Sequence, residues 1–252
     1  MGLTFSANLG FLWQELPLPD AIRAAKAAGF AAVECHWPYD VPAQDVAAAL
    51  RETGLPMLGL NTRRGGPGEN GLGALPGRGA EARAAVDEAL AYADAVDARA
   101  VHVMAGFATG EAAEAAFVET LRYACAATER TILIEPLNAC DAPGYFLTTT
   151  AQAEAIMAQV GAPNLRLMFD CYHVQVMEGD VSRRLTRLRP LIGHIQFASV
   201  PDRGAPDHGE LDYAHVFKVI DGMGWNAPLG AEYRPGGATE PTLAWLSAAS
   251  GL

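Results

Sequence analysis

The sequence predicts an α/β fold, a single-domain (β/α)8 TIM barrel, and three observations carry that prediction. Short β-prone runs alternate with Ala-rich helical stretches from one end of the chain to the other, and strict β–α alternation implies a parallel sheet. Eight such units fit into 252 residues, the length at which a barrel of eight units closes. The turn after the first strand, "NLGFLWQE", is not the glycine-rich turn with which a doubly wound sheet announces itself. No linker, charge run or low-complexity tract divides the chain, so residues 1–252 read as one domain.

The elements follow in order. "LTFSANL" (3–9) reads as the first strand. A helix follows from residue 18, with Pro19 and Asp20 at its start and Gly29 as its stop. "AAVEC" (31–35) is a second strand and residues 43–53 a second helix; "PMLGLNT" (56–62) is a third strand. A glycine-rich loop (63–79) precedes a helix of about 18 residues beginning near Ala80. "RAVHVM" (99–104) and a helix over 111–128 form the fourth unit. "TILIE" (131–135), "LRLMFD" (165–170), "LIGHIQF" (191–197) and "PLGAEY" (228–233) supply four more strands, each followed by a helical stretch.

Composition narrows the function. Half the residues are hydrophobic, enough for one large core. The formal net charge of −11 opposes a nucleic-acid partner, which needs a positive field to release counterions from phosphates. The N-terminus has no basic segment followed by an apolar one, and no apolar run approaches a membrane span, so neither secretion nor a membrane is expected. The four cysteines are not in CxxC spacing and read as reduced thiols, which fits a cytoplasmic protein.

In a barrel of this kind the chemistry sits at the C-terminal ends of the strands. Strands five, six, seven and eight end in or near Glu135, Asp170, Gln196 and Glu232. Four neighbouring strands thus deliver oxygen ligands to one rim, a set that suits a hard divalent ion such as Mg²⁺ or Mn²⁺. Read singly, Asp170 could cap the following helix and Glu232 could pair with Arg234. His173 lies one helical turn past Asp170, and Arg203 follows strand seven. Asn8, Glu34, His102 and Asn138 also fall near strand ends, and His194 shares a strand face with Gln196. The glycine-rich loop reads as a lid over the strand-three end of the site.

With these residues in view, the chain resembles the hydroxypyruvate isomerase family within the xylose-isomerase-like TIM barrels. The matching stretches include "FSANLGFLW", "NGLGALPGR", "IEPLN", "MFDCYHVQ", "GHIQFASVPDRGAPDHGELDY" and "GAEYRP", and the likeness runs from residue 5 to 235. The resemblance implies that Glu135 and Glu232 form an acid–base pair, and that these two with Asp170 and Gln196 hold a divalent metal. It implies that His173 and Arg203 contact substrate oxygens, and it places Asp141 where related epimerases carry another acid. Those epimerases have histidine at the position of Gln196.

The implied reaction interconverts hydroxypyruvate and tartronate semialdehyde through an enediolate. It needs a base, an acid and positive charge beside two oxygens. The substrate carboxylate asks for an arginine, and Arg203, Arg78 and the pair Arg63–Arg64 are the candidates; His102 and Glu34 are further candidates for substrate contact. The expected partner is a small hydroxy- or keto-acid, and barrels of this group often pair into homo-oligomers. Rival readings are a 2-oxo-tetronate isomerase or a sugar 3-epimerase on the same site, a metal-dependent phosphodiesterase, and a non-catalytic small-molecule-binding barrel.

Overall fold

The computed structural model describes residues 2–249. Eight parallel strands form one sheet: β1 (Phe5–Asn8), β2 (Ala32–Glu34), β3 (Gly59–Asn61), β4 (Ala100–His102), β5 (Thr131–Ile134), β6 (Leu165–Asp170), β7 (Ile192–Phe197) and β8 (Leu229–Ala231). The sheet order is β2-β1-β8-β7-β6-β5-β4-β3. The seam between β2 and β3 is drawn together by a parallel bridge from Val33 to Met57. The Leu58 amide donates to the Val33 carbonyl (2.7 Å) and the Cys35 amide to the Gly59 carbonyl (3.1 Å). These bonds bring the sheet round into a nearly closed barrel, as predicted.

The first four helices are α1 (Leu18–Ala28), α2 (Ala43–Thr53), α3 (Gly79–Val96) and α4 (Glu111–Ala127). After β5 comes α5 (Thr150–Val160). The sixth unit departs from the one-helix expectation: α6 (Cys171–Met177) and α7 (Val181–Leu188) follow β6. The break lies at Gly179 and Asp180, both at positive φ. α8 (Tyr213–Gly222) follows β7. After β8 come a 3₁₀ turn (Glu240–Thr242) and the short α9 (Ala244–Ala249), the end of the described residues.

Most strand ladders are one to three residues shorter at each end than the β-prone runs that predict them. Glu135 and Glu232 therefore lie one residue past their strands, where the chain turns away from the ladder and frees a side chain to face the barrel mouth. Below them an aromatic cluster closes the barrel's flank. Phe5, Phe197, Phe217 and Trp245 meet edge to face at 5.2–5.8 Å, locking β1 and β7 to α8 and α9.

The barrel interior just under the mouth is polar. His194 Nε2 lies 2.6 Å from Glu34 Oε2, and both side chains are buried. Gln196 adds a longer amide bond to the same carboxylate, 3.4 Å. Room for this group comes from Gly230 on β8. A Cβ there would stand 2.2 Å from Glu34 Oε1 and 2.9 Å from His194 Nε2, both inside contact distance. An ion pair inside a barrel costs desolvation and is tolerated only when its partners are well placed.

Candidate active site

At the C-terminal mouth a cavity of about 300 Å³ opens. Glu135, His173, Arg203 and Glu232 line it, together with His36, Trp37, Arg64, His102, Asp141 and Arg234. One atom each from Glu135, Asp170, His173 and Glu232 falls within a sphere of mutual distances no greater than 4.8 Å, and all four residues are buried.

Each member of this group is held differently. Asp170 serves two ends at once. Its Oδ1 accepts from the Tyr172 amide at 2.8 Å and so caps α6, while Oδ2 has no hydrogen-bond partner. The helix-cap reading of Asp170 is thus met by Oδ1, and Oδ2 is left uncommitted toward Glu135 and Glu232. Glu232 is the best-satisfied acid. It accepts from Asn8 Nδ2 (3.0 Å) and Arg203 Nη2 (2.7 Å) and lies 2.9 Å from His36 Nε2. Its charge partner is thus Arg203 and not the nearby Arg234. Glu135 has looser company: His102 Nδ1 at 3.7 Å, His173 Nε2 at 3.9 Å, and an Oε1 with no hydrogen bond.

The surroundings push the two glutamates in opposite directions. Burial, then the charges of Glu232 and Asp170, raise the Glu135 carboxyl well above the usual range. Burial also pushes Glu232 up, but Arg203 and the His36 bond outweigh it and leave this carboxyl lowered. Asp170 is pushed up to about 8 by burial and by Glu232. A pair of carboxyls so separated is the arrangement of an acid and a base sharing one site.

His173 is oriented by its other nitrogen. Nδ1 accepts the Asn138 backbone N–H at 3.0 Å, so in the neutral ring the proton is on Nε2. Burial, then Arg203, lowers its pKa, which keeps the ring neutral. Nε2–H faces Glu135 and Asp170 (3.6 Å) as a donor, and it has no lone pair to offer a cation in this tautomer. Burial likewise lowers His102, to about 3.

Arg203 ties the acids together. Its guanidinium reaches Glu232, Asp170 (3.6 Å) and Asp141 (3.5 Å) and lies between the rings of Phe11 (4.8 Å) and Tyr172 (5.0 Å). Asp141 also accepts from Tyr172 Oη (3.0 Å) and Asn138 Nδ2 (3.3 Å), which fixes it on the rim of the same cluster.

The donor set fits a divalent cation. Three carboxylates converge on one point with a single guanidinium among them, and Glu135 Oε1 and Asp170 Oδ2 are buried without partners. Gln196 pairs with Asp170 in the β6–β7 register, and its Oε1 is also buried and unpartnered. Its side chain lines a small cavity of about 20 Å³ beneath the mouth, with Glu34, His102 and His194. Glu34 thus lies under the site and not in the open cavity. Arg78 lies outside it too, because Glu69 and Glu81 hold its guanidinium.

Sequence reasoning missed His36. It stands two residues beyond the end of β2, and it reaches Glu232 only because residue 10 is glycine: a Cβ there would meet His36 Nδ1 at 2.1 Å. The signal was present in "ECHW", one polar residue further along than the strand end.

Comparison with known proteins agrees with the barrel fold. The model of the xylose-isomerase-like TIM barrel family matches residues 22–249. The chain is 43% identical over 251 residues to a 2-oxo-tetronate isomerase from Cupriavidus necator, spanning 96% of each protein. It is 37% identical to a hydroxypyruvate isomerase from Escherichia coli, over 97% of this chain and 98% of that protein. A crystal structure from Brucella melitensis, described as an AP endonuclease of family 2, superposes with a TM-score of 0.94 at 39% identity, over 98% of this chain and 99% of that one. The chain belongs to the xylose-isomerase-like TIM-barrel family, among the relatives of hydroxypyruvate and 2-oxo-tetronate isomerases.

Proposed function

We propose that the chain is an aldose–ketose-type isomerase of small hydroxy-keto acids, interconverting hydroxypyruvate and tartronate semialdehyde through an enediolate. The observation that supports this best is the pair Glu135 and Glu232, which face one cavity with their carboxyls pushed in opposite directions. Glu135, Asp170, Glu232 and Gln196 would hold Mg²⁺ or Mn²⁺, which supplies Lewis-acid charge beside the substrate oxygens when bound.

The remaining work falls to the protein's own groups. Glu135 lacks a strong hydrogen-bond partner and is the more basic carboxylate once ionised, so it removes the proton from the carbon. Glu232, stabilised as an anion by Arg203, His36 and Asn8, is the weaker base. Its part is to hold these donors in place, while the proton that Glu135 removes from one carbon is the one that Glu135 returns to the neighbouring carbon of the enediolate. His173 Nε2–H and Arg203 donate to the oxygens on which negative charge develops. The loop 63–79 acts as a lid, its exposed tip closing over the mouth to exclude water.

A 2-oxo-tetronate is the second reading. It needs the same proton transfer, and the cavity of about 300 Å³, roughly ten waters' worth, has room for a fourth carbon. The Cupriavidus necator relative carries that activity in its name. The acidic charge and the four free cysteines support a cytoplasmic enzyme without a nucleic-acid partner; a homo-oligomer is what the family resemblance supports. Among the described residues no helix is long and apolar enough to cross a membrane.

The decisive measurement is proton exchange by NMR in D₂O, with hydroxypyruvate and 2-oxo-tetronates, before and after chelation. Deuterium should enter at the carbon next to the carbonyl, and Glu135→Gln should slow its entry by about 10²- to 10⁴-fold. No incorporation into either class of acid would refute the isomerase reading.

A further inference from the structure

Four arginines have been candidates for the substrate carboxylate, and the structure separates them by what already occupies each. Arg63 is turned outward onto Glu88, with Nε at 2.8 Å and Nη2 at 3.0 Å from its two oxygens. Arg78 is held by Glu69 and Glu81. Arg203 is shared among Glu232, Asp170 and Asp141. Arg64, one residue from Arg63, points the other way and lines the cavity. Among the described residues no carboxylate lies within ion-pair distance of it.

Arg64 is nonetheless oriented. Its guanidinium lies over the Trp37 ring, 4.1 Å from the centroid, and its Nε donates to Asn70 Oδ1 at 3.1 Å. Trp37 is itself fixed, because its Nε1 donates to the Thr62 carbonyl at 3.1 Å. The stack and the Asn70 bond set the plane of the guanidinium and leave both terminal nitrogens free. A guanidinium stacked on an aromatic face loses little entropy on taking a carboxylate.

Charge across the cavity gives the direction. The inner end holds Glu135, Asp170 and Glu232 against one guanidinium. That guanidinium is already shared among Glu232, Asp170 and Asp141, so an incoming carboxylate finds an uncommitted guanidinium fork at the outer end, where Arg64 stands. Arg64 and Asn70 also line the adjoining surface cavity of about 520 Å³ under the exposed tip of the loop 63–79, so they stand at the threshold between site and solvent. Among the described residues Arg234 also lines the cavity without a carboxylate partner, but it lies 5.9 Å from the Phe11 centroid and no side-chain hydrogen bond to another described residue orients it.

We infer that Arg64, seated on Trp37 and steered by Asn70, is the anchor for the substrate carboxylate and selects acids over neutral sugars. This rests on the isomerase reading for its reaction but not for its binding chemistry. The carboxylate lies outward against Arg64, which directs the carbonyl and the adjacent hydroxylated carbon inward to Glu135 and Glu232.

The test compares an acid with its neutral counterpart. Dihydroxyacetone has the skeleton of hydroxypyruvate with a hydroxymethyl group in place of the carboxylate. In Arg64→Gln the ratio of kcat/KM for hydroxypyruvate over dihydroxyacetone should fall about 10- to 100-fold, mainly through KM, the size expected for a lost charge-assisted bidentate contact. Arg64→Lys should recover part of it. Binding is read separately by calorimetry with D-glycerate and glycerol, which need no turnover. D-glycerate should bind wild type at least about 10-fold more tightly than it binds Arg64→Gln, and glycerol should not distinguish the two proteins. An unchanged D-glycerate affinity in Arg64→Gln, or a loss seen in Arg234→Gln instead, overturns the assignment. If no acid exchanges protons in wild type yet D-glycerate still depends on Arg64, the isomerase reading fails and the anchor stands.

Discussion

The two halves of the barrel rim are built on different principles. β5 to β8 supply Glu135, Asp170, Gln196 and Glu232, each within one residue of a strand end. β1 to β4 supply Asn8, Asn61 and His102 from strand ends, but His36, Trp37 and Arg64 from the loops beyond. The four acid and amide side chains of the first half are therefore fixed by sheet register, whereas His36, Trp37 and Arg64 of the second depend on loop contacts. On the proposed function this would divide the labour, the register-fixed half positioning the proton transfer and the loop half recognising and admitting the substrate.

If that division is right, the largest effects come from the acidic half. Glu135→Gln should lower the rate of proton exchange by about 10²- to 10⁴-fold, the usual worth of a general base, with the fold intact by circular dichroism. Glu232→Gln should cost a similar factor, because the acid–base pair acts as one unit. Arg203→Met tests the tie between the acids. It leaves buried carboxylates without their cation and should destabilise the protein by about 3 kcal/mol in denaturant unfolding. An effect under about 1 kcal/mol would show that the acids do not depend on Arg203.

Removing divalent ions probes the same half through pH. Asp170, pushed up to about 8, binds its proton more tightly in the folded chain than in the unfolded one. That stability is present at low pH and is lost as pH rises through the folded value. His102 and His173 work in the opposite sense, but only below their ordinary value of 6.5. Chelated protein should therefore lose thermal stability between pH 6.5 and 8. Mg²⁺ or Mn²⁺ should restore it most at the upper end, with proton release on binding. A flat profile with the chelator present would remove the raised carboxyls from the account.

Smaller effects belong to the loop half. His36→Gln should reduce turnover by about 10-fold through its lost contact with Glu232. Gly10→Ala should mimic it by displacing the ring, and the double variant should be no worse than either alone. Additive losses would mean that Gly10 and His36 act separately. Arg78→Ala should change kcat/KM by less than about twofold, since its carboxylate partners hold it outside the cavity.

The same division decides what could be read in the sequence. The barrel was legible because alternation and length are properties of the whole chain, and each β-prone run contains its observed strand. The carboxylates were legible because a charge ending an apolar run is conspicuous, as in "TILIE". His36 was not, since its contact crosses from β2 to β8 and depends on a missing side chain at position 10. Nor could Arg63 be told from Arg64: adjacent residues of identical chemistry take opposite partners once the backbone turns one toward Glu88 and the other onto Trp37. The doubled helix after β6 escaped for a similar reason, because "MEGDVS" interrupts it with two positive-φ residues in a stretch that otherwise reads as helical.

The polar layer beneath the mouth has a consequence for how such a chain can vary. Glu34, His194 and Gly230 come from three different strands, yet the volume taken by the first two is the volume the third gives up. They behave as a single locus spread over nearly two hundred positions of sequence. Gln196 Cγ would stand 2.7 Å from a Cβ at the same glycine, so any change that enlarges residue 230 must be answered at 34, 194 and 196 together.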